Sequence, residues 1–258
     1  MDQPAAATLT DRPPALQRLW TIYVTDVRAD ANARAQTTVA TDRRAVAVLL
    51  TAAISLTFSE FWATREEGAL DGLASWALVT IACYVVPPVL VIRFVLRDRV
   101  RDYGLRIAGI GPHARIYAIL FVLSFPAVVL ASFGDGFQAK YPFLDIAAGD
   151  SLGPDLYLWW ALYWLQFVAL EFFFRGFLVH GLAPRLGWVS IFVMVLPYNM
   201  LHFDKPMLEA LAAIVGSVVL GTLSLKTRSI WWGAALHIAI AVTMDVCALL
   251  HAGRIVQL

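Results

Sequence analysis

From Ala45 to Leu250 the sequence is built of apolar runs, several of them close to or beyond the about 20 residues that a helix needs to cross a bilayer. Lipid offers the backbone no hydrogen-bond partners, so a spanning segment must be a helix or part of a closed barrel. A barrel strand would alternate apolar and polar residues over about ten positions, and no ladder of such stretches occurs. The chain therefore reads as all-α, a polytopic transmembrane helical bundle of seven to eight spans. Composition agrees: 60% of the 258 residues are hydrophobic and 15% charged, against about a quarter charged in soluble domains. A net charge of +1 says nothing about partners, and no basic, aromatic-interleaved surface suggests nucleic acid. Cys83 and Cys247 fall in predicted spans without Cys-x-x-Cys spacing and read as packing residues.

Residues 1–44 form a polar N-terminal arm, and residues 45–258 the membrane domain. Asp2 and Pro13-Pro14 do not suit a signal peptide. Leu16, Leu19, Trp20 and Tyr23 suit a short interfacial turn, while residues 26–43 read as water-exposed. Seven spans are expected: Ala45–Trp62, Leu73–Val95 with a kink at Pro87-Pro88, Ile116–Phe133, Leu156–Leu182, Trp188–His202, Met207–Leu225 and Ile230–Leu250. Splitting the long fourth segment would make eight. Lys and Arg gather in the arm, the Arg97–Arg115 loop, Arg185 and the Lys226/Arg228 turn, which places these on the cytoplasmic side. The acidic loop with Asp135, Asp145 and Asp150 then lies outside, with the C-terminus. Gly216 and Gly221 suggest close helix packing.

Ionisable residues inside spans are functional candidates, because their burial must be offset by partners or by use. They are Glu171, Arg175, His202, His237 and Asp245, with Gln166, Tyr198 and Asn199 as uncharged company. Glu171 and Arg175 share a helix face and can neutralise each other. They form either a self-contained ion pair or a general base with its orienting cation. His202 falls four residues after Tyr198 on one face. His237, Ala241 and Asp245 share a stripe of the last span. Two histidines and a carboxylate on three helices could also hold zinc, although no His-Glu-x-x-His occurs.

Glu171-Phe-Phe-Phe-Arg175-Gly176, Tyr198-x-x-x-His202 and His237 resemble, in this order, the motifs of the CPBP family of CAAX prenyl endopeptidases and bacteriocin-processing proteases. Asp102-Tyr-Gly-Leu-Arg106 and Ser229-Ile-Trp-Trp-Gly-Ala-Ala-Leu-His237 resemble its bacterial members. The CPBP-like core covers about residues 156–248. The family carries Glu-Glu-x-x-x-Arg, Phe-x-x-x-His and His-x-x-x-Asn/Asp; here Leu170 stands at the first glutamate and Ala241 at the final Asn/Asp.

The resemblance implies an intramembrane endopeptidase in a bacterial plasma membrane that hydrolyses a peptide bond by glutamate-activated water. Glu171, His202 and His237 would be catalytic, and Arg175, Tyr198 and Asp245 supporting, with Asp245 standing in for the missing polar group at Ala241. No cofactor is required, zinc being the option, and the partner is a membrane-associated peptide or protein. Leu170 and Ala241 favour the alternative of a catalytically inactive relative that binds or shields such a partner. A transporter would need the internal repeats that the sequence lacks. A full-length fifth span would leave His202 at the outer end, far from His237. The resemblance requires that span to be tilted or to enter only partway.

Overall fold

The computed structural model describes residues 14–63, 69–107, 109–144 and 153–253. Asp145 and Asp150 of the acidic loop, the Thr64–Glu67 end of the first span and the last residues of the chain lie outside these. The described residues are helical, with one isolated bridge between Leu105 and Ser229. In chain order the helices are α1 (Ala15–Trp20), α2 (Asp26–Arg34), α3 (Val39–Trp62), α4 (Leu70–Leu90), α5 (Ala114–Ala131), α6 (Asp135–Gln138), α7 (Pro154–Glu171), α8 (Val179–Leu186), α9 (Ser190–Met200), α10 (Met207–Thr227) and α11 (Trp231–His251). Among them, six helical stretches are long and apolar enough to cross a membrane. The protein is an integral membrane protein.

Helix α3 starts before the apolar run because a capping box closes its first turn. The Thr38 hydroxyl accepts from the Thr41 amide at 3.2 Å, and the Thr41 hydroxyl from the Thr38 amide at 3.0 Å. Pro87 and Pro88 stay inside α4, and the winding changes just after them, in a π turn at Val91–Val95. The expected fourth and fifth spans belong to one 47-residue helical run, Pro154–Met200. It passes from α7 through a π segment, Phe172–Leu178, into α8, and turns at Gly187, whose φ of +56° suits glycine. Beyond the turn α9 folds back, bringing the Tyr198 ring to 5.2 Å from that of Phe174. Helix α9 has 11 residues, a rise of about 16 Å, roughly half of a bilayer's hydrocarbon core.

The main core forms where Phe172, Phe173, Phe174 and Phe177 of the π segment pack against Tyr84, Tyr103, Ile191 and Met194. A second apolar cluster, around Leu73, Phe143, Trp159, Tyr163 and Ala241, lies toward the α6 loop. The arginine-bearing segments meet at one end of the bundle. There Asp98 accepts from Arg44 at 2.6 Å and from the Tyr103 hydroxyl at 2.7 Å. Burial pushes the Asp98 carboxyl up, but the Arg44 and Tyr103 hydrogen bonds outweigh it and hold it below the usual carboxylate range. The arm joins this end. Arg185 pairs with Asp42, and Asn32 of α2 accepts from the Trp188 amide at 3.0 Å. Residues 26–34 form a helix that is exposed along most of its length and docks through Val27 and Asn32. At the opposite end Lys140 pairs with Asp204 at 3.2 Å, and the Tyr141 hydroxyl donates to Glu209 at 3.1 Å.

Of the two glycines expected to pack closely, Gly221 does: a Cβ there would lie 2.9 Å from Ile191. Gly216 faces open space. A Cβ on Gly176 would lie 2.6 Å from the Tyr103 backbone oxygen, which cannot swing aside. Gly176→Ala is therefore expected to cost about 1–3 kcal/mol. Gly216→Ala should be neutral or stabilising by up to about 1 kcal/mol. Thermal melting of both variants in detergent checks this, and equal melting temperatures would contradict it.

Candidate active site

Glu171 ends α7 and is 1% exposed, while Arg175 in the π segment is fully buried. Their contact, Arg175 Nη1 to Glu171 Oε1, is 3.2 Å. The π winding puts one extra residue in the turn that carries Arg175, a distortion frequent at functional sites. Gly233 of α11 lets the helices close on the carboxylate: a Cβ there would sit 2.7 Å from Oε2. One turn further along α11, His237 Nδ1 lies 2.9 Å from Oε1. Neither approach is aligned as a hydrogen bond, so both act through charge.

The guanidinium of Arg175 is held on its other sides. Its central carbon stacks 3.9 Å over the Tyr198 ring, a cation–π contact. Its Nη2 donates to Ser217 Oγ at 3.3 Å, and its backbone carbonyl accepts from Ser224 Oγ at 3.1 Å. Tyr198 joins the cluster through its hydroxyl, 3.1 Å from His237 Nε2. A carboxylate only accepts, so the proton of a neutral His237 belongs on Nδ1, and Nε2 accepts from Tyr198. His202 follows on the next turn. Its Nδ1 is 3.2 Å from the Tyr198 carbonyl and can only donate there.

These residues border a chamber of about 2010 Å³ that extends toward the α6 loop. Gln166, Phe167, Leu170, Tyr198, His202 and His237 line it; Glu171 and Arg175 do not. Phe167 stacks on His237 with ring centroids 5.5 Å apart, and Gln166 Oε1 is buried without a partner. Glu171, expected to activate water directly, does not line the chamber; His237, 2.9 Å from its carboxylate, does. Asp245 does not join the cluster. It accepts from Trp160 Nε1 at 2.9 Å, two helical turns (about 12 Å) beyond His237. Ala241 is buried in the second apolar cluster.

The zinc option can be tested on the donors themselves. Both imidazole nitrogens of His237 face protein partners, Nδ1 of His202 is taken by a carbonyl, and the Glu171 carboxylate faces Arg175. Among the described residues no three His, Cys, Asp or Glu side chains group as a metal site. The residues as arranged do not fit zinc, and no step is derived through a metal. Sequence reasoning missed Ser217, Ser224 and Gly233. The spacing of Gly233 one turn before His237 was the available signal; nothing local marks the serines.

Removing one partner of a buried ion pair leaves the other charge uncompensated, at a cost of about 3–5 kcal/mol. Glu171→Gln is therefore expected to lower the melting temperature in detergent strongly. The double variant Glu171→Gln/Arg175→Met should recover most of the loss. A Glu171→Gln protein as stable as wild type would show that the pair does not hold the bundle.

Residues 152–243 match the family model described as Type II CAAX prenyl endopeptidase Rce1-like. No curated protein and no solved structure matched the chain. The matched stretch runs from the approach to α7 into α11 and contains Glu171, Arg175, Tyr198, His202 and His237. The segment that builds the buried cluster is thus similar to the Rce1-like domain of CAAX prenyl endopeptidases, over residues 152–243.

Proposed function

We propose that the chamber binds a membrane-embedded or membrane-associated peptide segment without glutamate-driven hydrolysis. The chain would then be a binding or shielding member of the CPBP fold in a bacterial plasma membrane. The observation that carries this reading is Leu170. At the position of the family's first glutamate the chamber wall is a leucine, while the remaining carboxylate lies behind it, 1% exposed. A general base must reach the proton that it takes, and leucine takes none. The chamber suits a peptide: its walls are largely apolar and aromatic, and Gln166, Tyr198, His202 and His237 are polar groups for backbone amides. Its extent toward the α6 loop, opposite the arginine-bearing end, favours a partner presented from the non-cytoplasmic side.

The Glu171–His237 contact of 2.9 Å favours a second reading, an intramembrane endopeptidase. Glu171 would then be a positioning residue. Its charge would orient His237, whose Nε2, once the Tyr198 hydroxyl turns away from it, would take the proton of an attacking water at the chamber wall, with His202 beside the developing oxyanion.

Peptide termini in membranes of cells carrying wild type, His237→Ala or Leu170→Glu/Ala241→Asn, compared by mass spectrometry at matched protein levels, separate the two. Under the binding reading, wild type and His237→Ala give the same termini, and the motif-restoring double variant is the one that creates new ones. Termini lost in His237→Ala would establish the protease instead. A photo-cross-linking residue at Met244, on the chamber wall, should trap a peptide. Filling the open space beside Gly216 with Gly216→Trp should abolish that trapping.

A further inference from the structure

A second cavity, of about 640 Å³, lies at the arginine-bearing end and shares no lining residue with the chamber. It is bounded by α2, the start of α3, the Asp98–Tyr103 loop, α8 and the end of α10. Its charges do not cancel locally. Asp98 is committed to Arg44, and Asp102 to Arg106 at 2.8 Å, while Arg34 and Asp30 form a loose, exposed contact at 3.8 Å. Lys226 and Arg228 line the cavity with no ion pair among the described residues. Burial and the like charges of Arg106 and Arg34 push the Arg228 guanidinium below its ordinary value, so positive charge is crowded here.

An independent observation lies in the cavity wall. His180 is 7% exposed, and its Nε2 is 3.1 Å from Ser224 Oγ. The single proton of Ser224 goes to the Arg175 carbonyl. Ser224 therefore accepts from His180 Nε2–H, which leaves Nδ1 as an acceptor, buried and without a partner. The cavity thus offers anionic oxygen two cations without an ion pair among the described residues, and beneath its wall lies one buried acceptor that a turn of the His180 ring would bring to a hydroxyl donor. Its volume is that of a small-molecule site.

We propose that this cavity binds a phosphate ester carrying a free hydroxyl, of the glycerol phosphate kind. Lys226 and Arg228 take the phosphate oxygens and His180 Nδ1 takes the hydroxyl. Two sources share that chemistry: the headgroup of an anionic lipid in the adjoining leaflet, and a soluble phosphate ester. Because Ser224 contacts both His180 and the Arg175 carbonyl, an occupant here touches the same helix turn that fixes the buried ion pair.

Arg228 supplies an unusually clean variant. It caps α10 in the left-handed conformation, φ +55°, which glycine adopts without strain. Arg228→Gly should therefore fold at least as well as wild type while losing the charge. The full-length protein, purified in neutral detergent, would be titrated with glycerol 1-phosphate and with inorganic phosphate. It would also be reconstituted in phosphatidylcholine vesicles with and without phosphatidylglycerol. Binding is read by native mass spectrometry and the shift in melting temperature.

A lipid source predicts a phosphatidylglycerol adduct and stabilisation, with no response to the soluble ester; a soluble source predicts the reverse. In either case Arg228→Gly and Lys226→Gln should weaken binding tenfold or more. Ligands lacking the hydroxyl, phosphatidic acid or inorganic phosphate, should bind several-fold more weakly. No binding of any probe, or equal binding by wild type and Arg228→Gly, would overturn the proposal.

Discussion

The contact on which the rest depends is the buried pair of Glu171 and Arg175. A charge in an apolar interior is tolerated only where every side of it is answered. Glu171 is answered by Arg175 and His237, with Gly233 leaving room for its second oxygen. Arg175 is answered by the Tyr198 ring, Ser217 and, through its backbone, Ser224. These partners come from α9, α10 and α11, so one ion pair fixes how the last helices stand around the α7–α8 run. The pair has this structural duty whichever reading of the chamber holds. Its presence alone is therefore no sign of catalysis.

That separation clarifies what the departures from the family pattern mean. Leu170 and Glu171 are neighbours in sequence, but one faces the chamber and the other faces the protein. The scaffold glutamate is kept, and the chamber-facing position holds a leucine. Any chemistry left to Glu171 must pass through His237, the side chain that both touches the carboxylate and lines the chamber.

Much of this was legible in the sequence, because spacing on one helix is local information. Glu171 with Arg175, Tyr198 with His202, and the arginine-rich end could all be read from periodicity and loop charge. What was not legible came from contacts between elements. The residues of α9 are as apolar as those of a full span, so composition did not show that it folds back on the run before it. The signal was Gly187, where a turn needs positive φ and α2 comes close. Asp245 lies on the stripe of His237, yet its partner is Trp160 on another helix, which no spacing within α11 reveals. Gly216 and Gly221 look alike in sequence and differ only in what faces them. The polar composition of residues 26–34 suggested water, and most of them are exposed; what it did not show is that Asn32 and the buried Val27 dock that helix on the Gly187 turn.

The short α9 has a consequence for the membrane itself. The chain leaves helical structure at Leu201 and runs through His202–Pro206 before α10 begins, and its backbone polar groups there need protein or water beside them. The chamber lies beside this turn, and water filling it would thin the low-dielectric layer locally. A transmembrane voltage would then fall over a shorter distance beside His237, which lines the chamber. A charge carried across the full potential gains or loses about 2.3 kcal/mol per 100 mV. A peptide bound there as proposed would be sorted partly by the sign of its charged residues, before any contact with the wall.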